Sequence, residues 1–317
     1  MRSYRPGLLF LPLLLLACSV RAQPPEFAEG VQQGVLEHAE INEASGLVAS
    51  RRNPGIFWTH NDSGDTTRIF ALTAQGANRG VWMLEGGAAR DWEDIAVGPG
   101  PVDSLSYLYI GDIGDNNAQY DLVRIYRVPE PAVTDDAAGG VLRDVETIIC
   151  RYEDGARDAE ALLVDPVDGG IYLVTKREPS VRLYRLVDLD RYEAGDTALL
   201  EHVGTLDSIM LITAGDISAD GGEILLKNYF EVYYWQRGES EGLADALSRP
   251  PLKLPYTIEP QGEAVAWGEG GFFTTSEEFQ GIPAVMTWYR RLDMGVEESE
   301  EGETTGSVDL SIDREGS

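Results

Sequence analysis

The chain has 317 residues, 43% of them hydrophobic, and 54 acidic side chains against 25 basic ones give a formal charge of −29. That length suffices for one large domain, or two ordinary ones, with a full core. The charge excludes a nucleic-acid partner, because a polyanion is repelled over the whole surface.

Arg2 and Arg5 precede an apolar run over residues 8–17, and Val20-Arg21-Ala22 supplies small or aliphatic residues before a cut. This reads as a signal peptide over 1–22, too short to span a bilayer stably, and implies a periplasmic or extracellular protein. "LLAC", ending at Cys18, offers a rival route, lipid attachment, the one way this chain would meet a membrane. With Cys18 removed, Cys150 has no internal partner, so packing must supply the stability. Residues 23–34 read as a linker.

From residue 35 a plan recurs five times: "EASGLVASRRNPGIFWTHND", "WEDIAVGPGPVDSLSYLYIGDIGDN", "AEALLVDPVDGGIYLVTKRE", "GDISADGGEILLKNYF" and "GEAVAWGEGGFFTTSEE". Each begins with an acid beside a short aliphatic strand, turns at Gly, Pro or Asp, and enters a second strand that ends in polar residues. Third strands follow as "TRIFAL", "VRIYRV", "VRLYRL", "EVYYWQ" and "AVMTWYR". Fourth strands follow four times, as "GVWML", "VETIICRY", "LLEHVGTL" and "PLKLP". The last unit lacks one. "VLEHAEI", residues 35–41, echoes "LLEHVGTL" and supplies it from the other end of the chain.

The pattern predicts an all-β fold, a β-propeller of five four-stranded blades over 35–293, with the N-terminal strand closing the ring. A six-bladed ring would need a unit that is not visible, and a β-sandwich would not repeat one pattern at this spacing. "SEGLADALS", residues 240–248, suits a short helix. The acidic stretch 294–317 reads as a disordered tail, and the chain as a monomer.

In a propeller the loops before each first strand and after each second strand open on one face. From strand starts come Glu43, Asp91, Glu93, Asp94, Asp158, Glu160, Asp216 and Glu263; from strand ends His60, Asn61, Asp62, Asp112, Asp115, Asn116, Lys176, Arg177, Lys227, Asn228, Glu277 and Glu278. Glu93, Glu160 and Glu263 hold the same register, and like charges around one axis call for protonation or a cation. Ca²⁺ suits such oxygen donors, so Glu93, Asp112, Asp115, Glu160 and Glu263 are the candidate metal ligands, with "GDIGDNN" as a ligand loop. The bland alternative is that Asp and Asn there merely bond their own turns.

Glu160 or Asp94 could serve as a base, with Lys176 and Arg177 stabilising charge; His60, Asn61, Asp62, Asn116 and Lys227 would then meet a ligand. Lys176 and Arg177 could instead simply pair with neighbouring acids. His38 and His202 fall in matching fourth strands and read as structural. "GESEG" around Ser240 has the form of a hydrolase elbow, but it follows a third strand and lacks the strand-to-helix setting that motif needs. In "NDSGDT", Thr66 stands where a helix–loop–helix calcium site needs Gly.

"WTHNDSGD", "DWEDIAV", "YIGDIGDNNA" and "IYRVPEP" resemble a family of secreted bacterial β-propellers, over nearly the whole mature chain. More distantly, "EASGLVAS…IFWTHNDSGD…RIFAL" and "DAEALLVDPVDGGIYLVTKRE" resemble the phytase-like and gluconolactonase-like calcium propellers. That resemblance implies axial Ca²⁺ with Glu160 and Glu263 among its ligands, Lys176 and Arg177 as phosphate contacts, and hydrolysis of an ester or phosphoester. The chain carries fewer basic residues there than the phytases do. Against hydrolysis stands a non-enzymatic propeller presenting its polar face to a small molecule, sugar or protein, with Phe230 and Phe279 as exposed aromatic candidates.

Overall fold

The computed structural model describes residues 24–134, 139–186, 192 and 195–292. The expected signal peptide, Cys18 and the acidic tail lie outside the described residues.

The first full unit is β2 (Ala44–Ala49), β3 (Ile56–Asn61), β4 (Arg68–Thr73) and β5 (Asn78–Leu84), each antiparallel to the next. The second is β6 (Trp92–Gly98), β7 (Tyr107–Asp112), β8 (Val123–Pro129) and β10 (Glu146–Tyr152). The third is β11 (Ala159–Val164), β12 (Ile171–Thr175), β13 (Val181–Leu186) and β14 (Thr197–Leu206). The fourth is β15 (Ile212–Ile217), β16 (Glu223–Asn228), β17 (Val232–Gln236) and β18 (Leu252–Leu254), with the short helix α1 (Leu243–Leu247) before β18. The last is β19 (Ala264–Gly268), β20 (Gly271–Thr275) and β21 (Val285–Arg290), completed by β1 (Val31–Val35) from the other end of the chain.

The inner strands β2, β6, β11, β15 and β19 neighbour one another in that order, and β19 returns to β2. This is a β-propeller. β2, β6, β11 and β15 are aliphatic and almost wholly buried because sheets press on them from both sides. Third strands such as β13, "VRLYRL", alternate, with Arg182 and Arg185 toward water. The core consists of clusters lodged between successive sheets. Trp58 and Ile69 pack with Trp92 and Tyr126; Ala161 and Leu163 pack with Ile217 and Leu226; and Phe57 and Phe70 pack with Phe273 and Met286 across the closure. Each fully buried Leu, Ile or Phe contributes about 1.5–3 kcal/mol.

Two features depart from the sequence reading. The closing strand is β1, paired Val31↔Trp288 through Val35↔Val285, so four of its five residues lie in the expected linker and only Val35 falls within 35–41. Residues 36–41 turn instead: Ile41 N donates to His38 O, Leu36 and Ile41 are buried, and the His38 ring meets Phe70 at 5.0 Å. His38 is therefore a turn residue, although still structural. A strand absent from the sequence reading, β9 (Gly139–Leu142), joins β5 in parallel. β10 and β14 also pair in parallel, from Ile149↔Thr197 to Tyr152↔Leu200, merging the second and third units into one eight-stranded sheet.

Candidate functional site

Four inner strands share an irregularity at the end where the acids stand. Pairing slips by one residue at Gly46 in β2, Glu93 in β6, Glu160 in β11 and Thr213 in β15. A bulge re-aims the side chain of the extra residue. Here it turns Glu93 and Glu160 to the channel mouth, where Glu263 arrives from the residue before β19.

Seven carboxylates meet there in overlapping trios: Asp62, Asp91 and Glu93; Asp62, Glu263 and Glu277; Glu93, Asp158 and Glu160. Within each trio the ligand oxygens lie within 4.8 Å of one another. Glu93, Asp158, Glu160 and Glu263 are buried, whereas Asp62, Asp91 and Glu277 are half-buried and form the opening. Asp91, Asp158 and Glu277 complete an arrangement in which Asp112 and Asp115 were expected.

Lys176 stands among these acids. Its Nζ is 2.6 Å from Glu160 Oε1 and 4.0 Å from Glu263 Oε1, and lies 5.2 Å from the centre of the Tyr229 ring. Tyr229 donates its hydroxyl to Glu263 Oε1 at 2.6 Å. Tyr229 was not a sequence candidate; its only signal is its place directly after the polar end of β16, the position Lys176 holds after β12. Burial pushes Glu160 up to about 8 despite Lys176, helped by Glu263 and Asp158. Burial likewise raises Asp62 to about 7 and Glu277 to about 8, with Glu263 adding repulsion in both. Glu93 is raised well above the carboxylate range by burial and by Glu160, Asp62 and Asp91. The ammonium of Lys176 is raised in turn, its acids outweighing burial.

The "GDIGDNN" loop serves the site by its backbone. Gly114 N donates to Asp91 O at 3.2 Å, and a Cβ at Gly114 would collide with Glu93 Oε1 and Asp91 Oδ2. Asp112, expected as a ligand, holds the loop ahead of β6, accepting from Arg90 N at 3.1 Å and Asp91 N at 2.9 Å, with Arg124 at 3.4 Å. Asp115 accepts from Tyr120 N at 2.7 Å and donates its own N–H to Asp158 Oδ1 at 2.8 Å. Asp112 builds the turn, whereas Asp115 does so with Oδ2 only and keeps Oδ1 buried without a hydrogen-bond partner among the described residues.

Asp94, expected as a base, is buried one residue deeper. Its carboxylate accepts from Ile95 N and Leu162 N at 2.9 Å and from Gly215 N at 3.2 Å, so its oxygens join the second, third and fourth units across the axis. Asp216 makes a similar link, accepting from Trp267 N at 2.7 Å. Arg177 is engaged with Asp158 Oδ2 at 2.6 Å and with Asn116. Lys227 is fully buried, donating to Gly262 O and Asn228 O beneath the Tyr256 ring, and burial lowers it to about 8. Asn61 donates to Glu40 O and Asp65 Oδ2, and its Oδ1 accepts from Glu43 N. His60 is fully buried against Trp92, and burial lowers it to about 4. Of the ligand-contacting set, Asp62 alone stands in the acidic cluster at the mouth; Asn116 is exposed at its rim through Arg177.

No family model matches the chain, and no curated protein matches it. Among solved structures it is similar to the PQQ-bound aldose sugar dehydrogenase of Streptomyces coelicolor, at 12% identity and a TM-score of 0.47, over 85% of this chain and 100% of that one. It is also similar to a chain of the nidogen/laminin complex, at 13% identity and a TM-score of 0.43, over 80% of this chain and 84% of that one.

Proposed function

We propose that the channel mouth binds a divalent cation, Ca²⁺, in a protein that acts outside the cytoplasm. The observation that carries this is the trio Asp62, Asp91 and Glu93. Its oxygens converge, its carboxyls are all raised, and none of the three forms an ion pair among the described residues. The donor set fits: hard oxygens in irregular array are what Ca²⁺ takes, and the cradle at Gly114 leaves them room. Asp62, Asp91 and Glu93 would hold the ion, with Glu160 and Glu263 neutralised from the far side by Lys176. Calcium there would supply charge neutralisation and a Lewis acid.

Thermal unfolding tests it. Calcium at about 100 times its Kd adds about 2.7 kcal/mol, a rise in midpoint of roughly 5–10 °C for a domain of this size. Glu93→Gln is expected to remove most of that rise. Gly114→Ala, which presses on both Glu93 and Asp91, should weaken calcium binding at least roughly tenfold, as support lost around a metal does. A midpoint indifferent to Ca²⁺, or equal responses in all three proteins, would remove the proposal.

Two observations separate binding from hydrolysis. Glu160, near neutrality at 2.6 Å from Lys176, is placed to exchange a proton with a bound ester or phosphoester. Yet Arg177 is spent on Asp158, which leaves no formed anion clamp, while Phe230 and Phe279 are exposed. This favours a propeller that binds a sugar, peptide or protein; calcium-dependent turnover of an ester and phosphoester panel would reverse the preference.

A further inference from the structure

The face opposite the acids carries a cavity of about 680 Å³, at the seam where the last unit meets the first. Its walls include Ile56, Phe57, Trp267 and Phe273, and the two phenylalanine rings lie 4.8 Å apart. Trp267 is 7% exposed, and its indole N–H has no acceptor among the described residues. Buried donors are nearly always met, so an unmet one calls for an explanation.

A cation stands at the same place. Arg51 lines this cavity and a neighbouring one of about 650 Å³. Its guanidinium is tethered to Ile217 O at 3.2 Å and forms no ion pair among the described residues. Of the nearby acids, Asp216 and Asp220 lie within range of its charge without an ion-pair contact. Glu223 accepts from both terminal nitrogens of Arg291, at 2.7 and 2.8 Å, and from Tyr234. Asp220 accepts from Ser218 Oγ at 2.6 Å and Gly222 N at 3.0 Å. Glu269 is exposed at the rim, where water screens it.

Aromatic walls, an unmet N–H donor and a guanidinium that makes no ion-pair contact among the described residues select one chemistry: a flat apolar body bearing acceptor oxygens and negative charge. We infer that this cavity is a second ligand site, for a small aromatic anion, its ring against Phe57 and Phe273 and its anionic group at Arg51. Such a site is independent of the cation at the mouth. In a chain this acidic, anions are repelled in general, so a guanidinium out of ion-pair contact beside an apolar hollow gives selectivity for those with a hydrophobic body.

The test uses the full chain and 8-anilino-1-naphthalenesulfonate, whose fluorescence rises on leaving water. Saturable binding with one dominant site is expected. Arg51→Ala, at an exposed position, should weaken it at least tenfold, and Trp267→Phe severalfold. Glu93→Gln should leave it unchanged, which separates this site from the mouth. N-phenyl-1-naphthylamine, lacking the sulfonate, should bind more weakly to the wild type and equally to Arg51→Ala. Absence of saturable binding, or equal affinity of the sulfonate for wild type and Arg51→Ala, would overturn the inference.

Discussion

Lys176→Met is expected to cost roughly 3–5 kcal/mol of folding stability at about pH 9, where Glu160 is ionised, the usual penalty for stripping one partner from a buried ion pair. Among the described residues the Lys176 ammonium is the one cation within ion-pair distance of the seven clustered carboxyls that is itself buried, reaching Glu160 at 2.6 Å and Glu263 at 4.0 Å. A Met side chain keeps the packing against Tyr229 and removes only the charge. The pH dependence follows from the directions of the shifts. Lys176 has a raised pKa, so its contribution is fully present below the ordinary lysine value and is lost only as alkaline pH passes the raised one. Glu160 near 8, Asp62 near 7 and Glu277 near 8 are raised acids. Their folded forms resist ionisation, so stability falls as pH climbs from about 4, where the unfolded chain begins to ionise, to about 8. The deficit of Lys176→Met should therefore be large at about pH 9 and shrink toward pH 5, where the acids keep their protons. Chemical denaturation across that range reads both. A deficit under about 1 kcal/mol at the alkaline end, or one equal at the two ends, would contradict the assignment.

Asp94→Ala should be damaging for a different reason. Its carboxylate accepts three backbone N–H groups, from Ile95, Leu162 and Gly215. Alanine leaves those donors buried and unmet, at about 1–3 kcal/mol each, so a loss of roughly 3 kcal/mol or more is expected. Asp94→Asn retains one acceptor oxygen but turns an NH₂ group toward the remaining donors, and should fall between. Because two of the donors belong to other units, the unfolding transition should move as a whole without splitting. A change within about 1 kcal/mol for Asp94→Ala would show that the hub does not depend on this link.

The repeat was legible because burial on both faces forces continuous aliphatic strands such as "EALLV", while third strands such as "VRLYRL" must alternate. The closing strand was misplaced because "VQQGV" has little apolar character; its pairing rests on backbone hydrogen bonds to β21, which any sequence can make. "VLEHAEI" looks more like a strand, but Leu36 and Ile41 are buried from a turn. Among the clustered residues, Glu93, Glu160 and Glu263 were grouped by their shared register, and Asp62 and Lys176 by their place at strand ends. Asp112 and Asp94 were not separable from them, since an acid that builds a turn or bridges strands looks the same in sequence as one that faces a ligand. What separates them is the count of N–H groups each oxygen already accepts, and that depends on bulges and loop paths.

The parallel pairing of β10 with β14 has a consequence for how such a chain can change. The first and second units are joined by the same device, β5 with β9, whereas at the remaining seams adjacent sheets meet chiefly through side chains, so a unit there could in principle be duplicated, lost or exchanged and its neighbours would need only to repack. Between the second and third units a backbone ladder runs along the outer rim from Ile149 to Tyr152. Removing either unit would strand that ladder and bare an edge ready to aggregate. Units joined in this way are expected to change together, not singly.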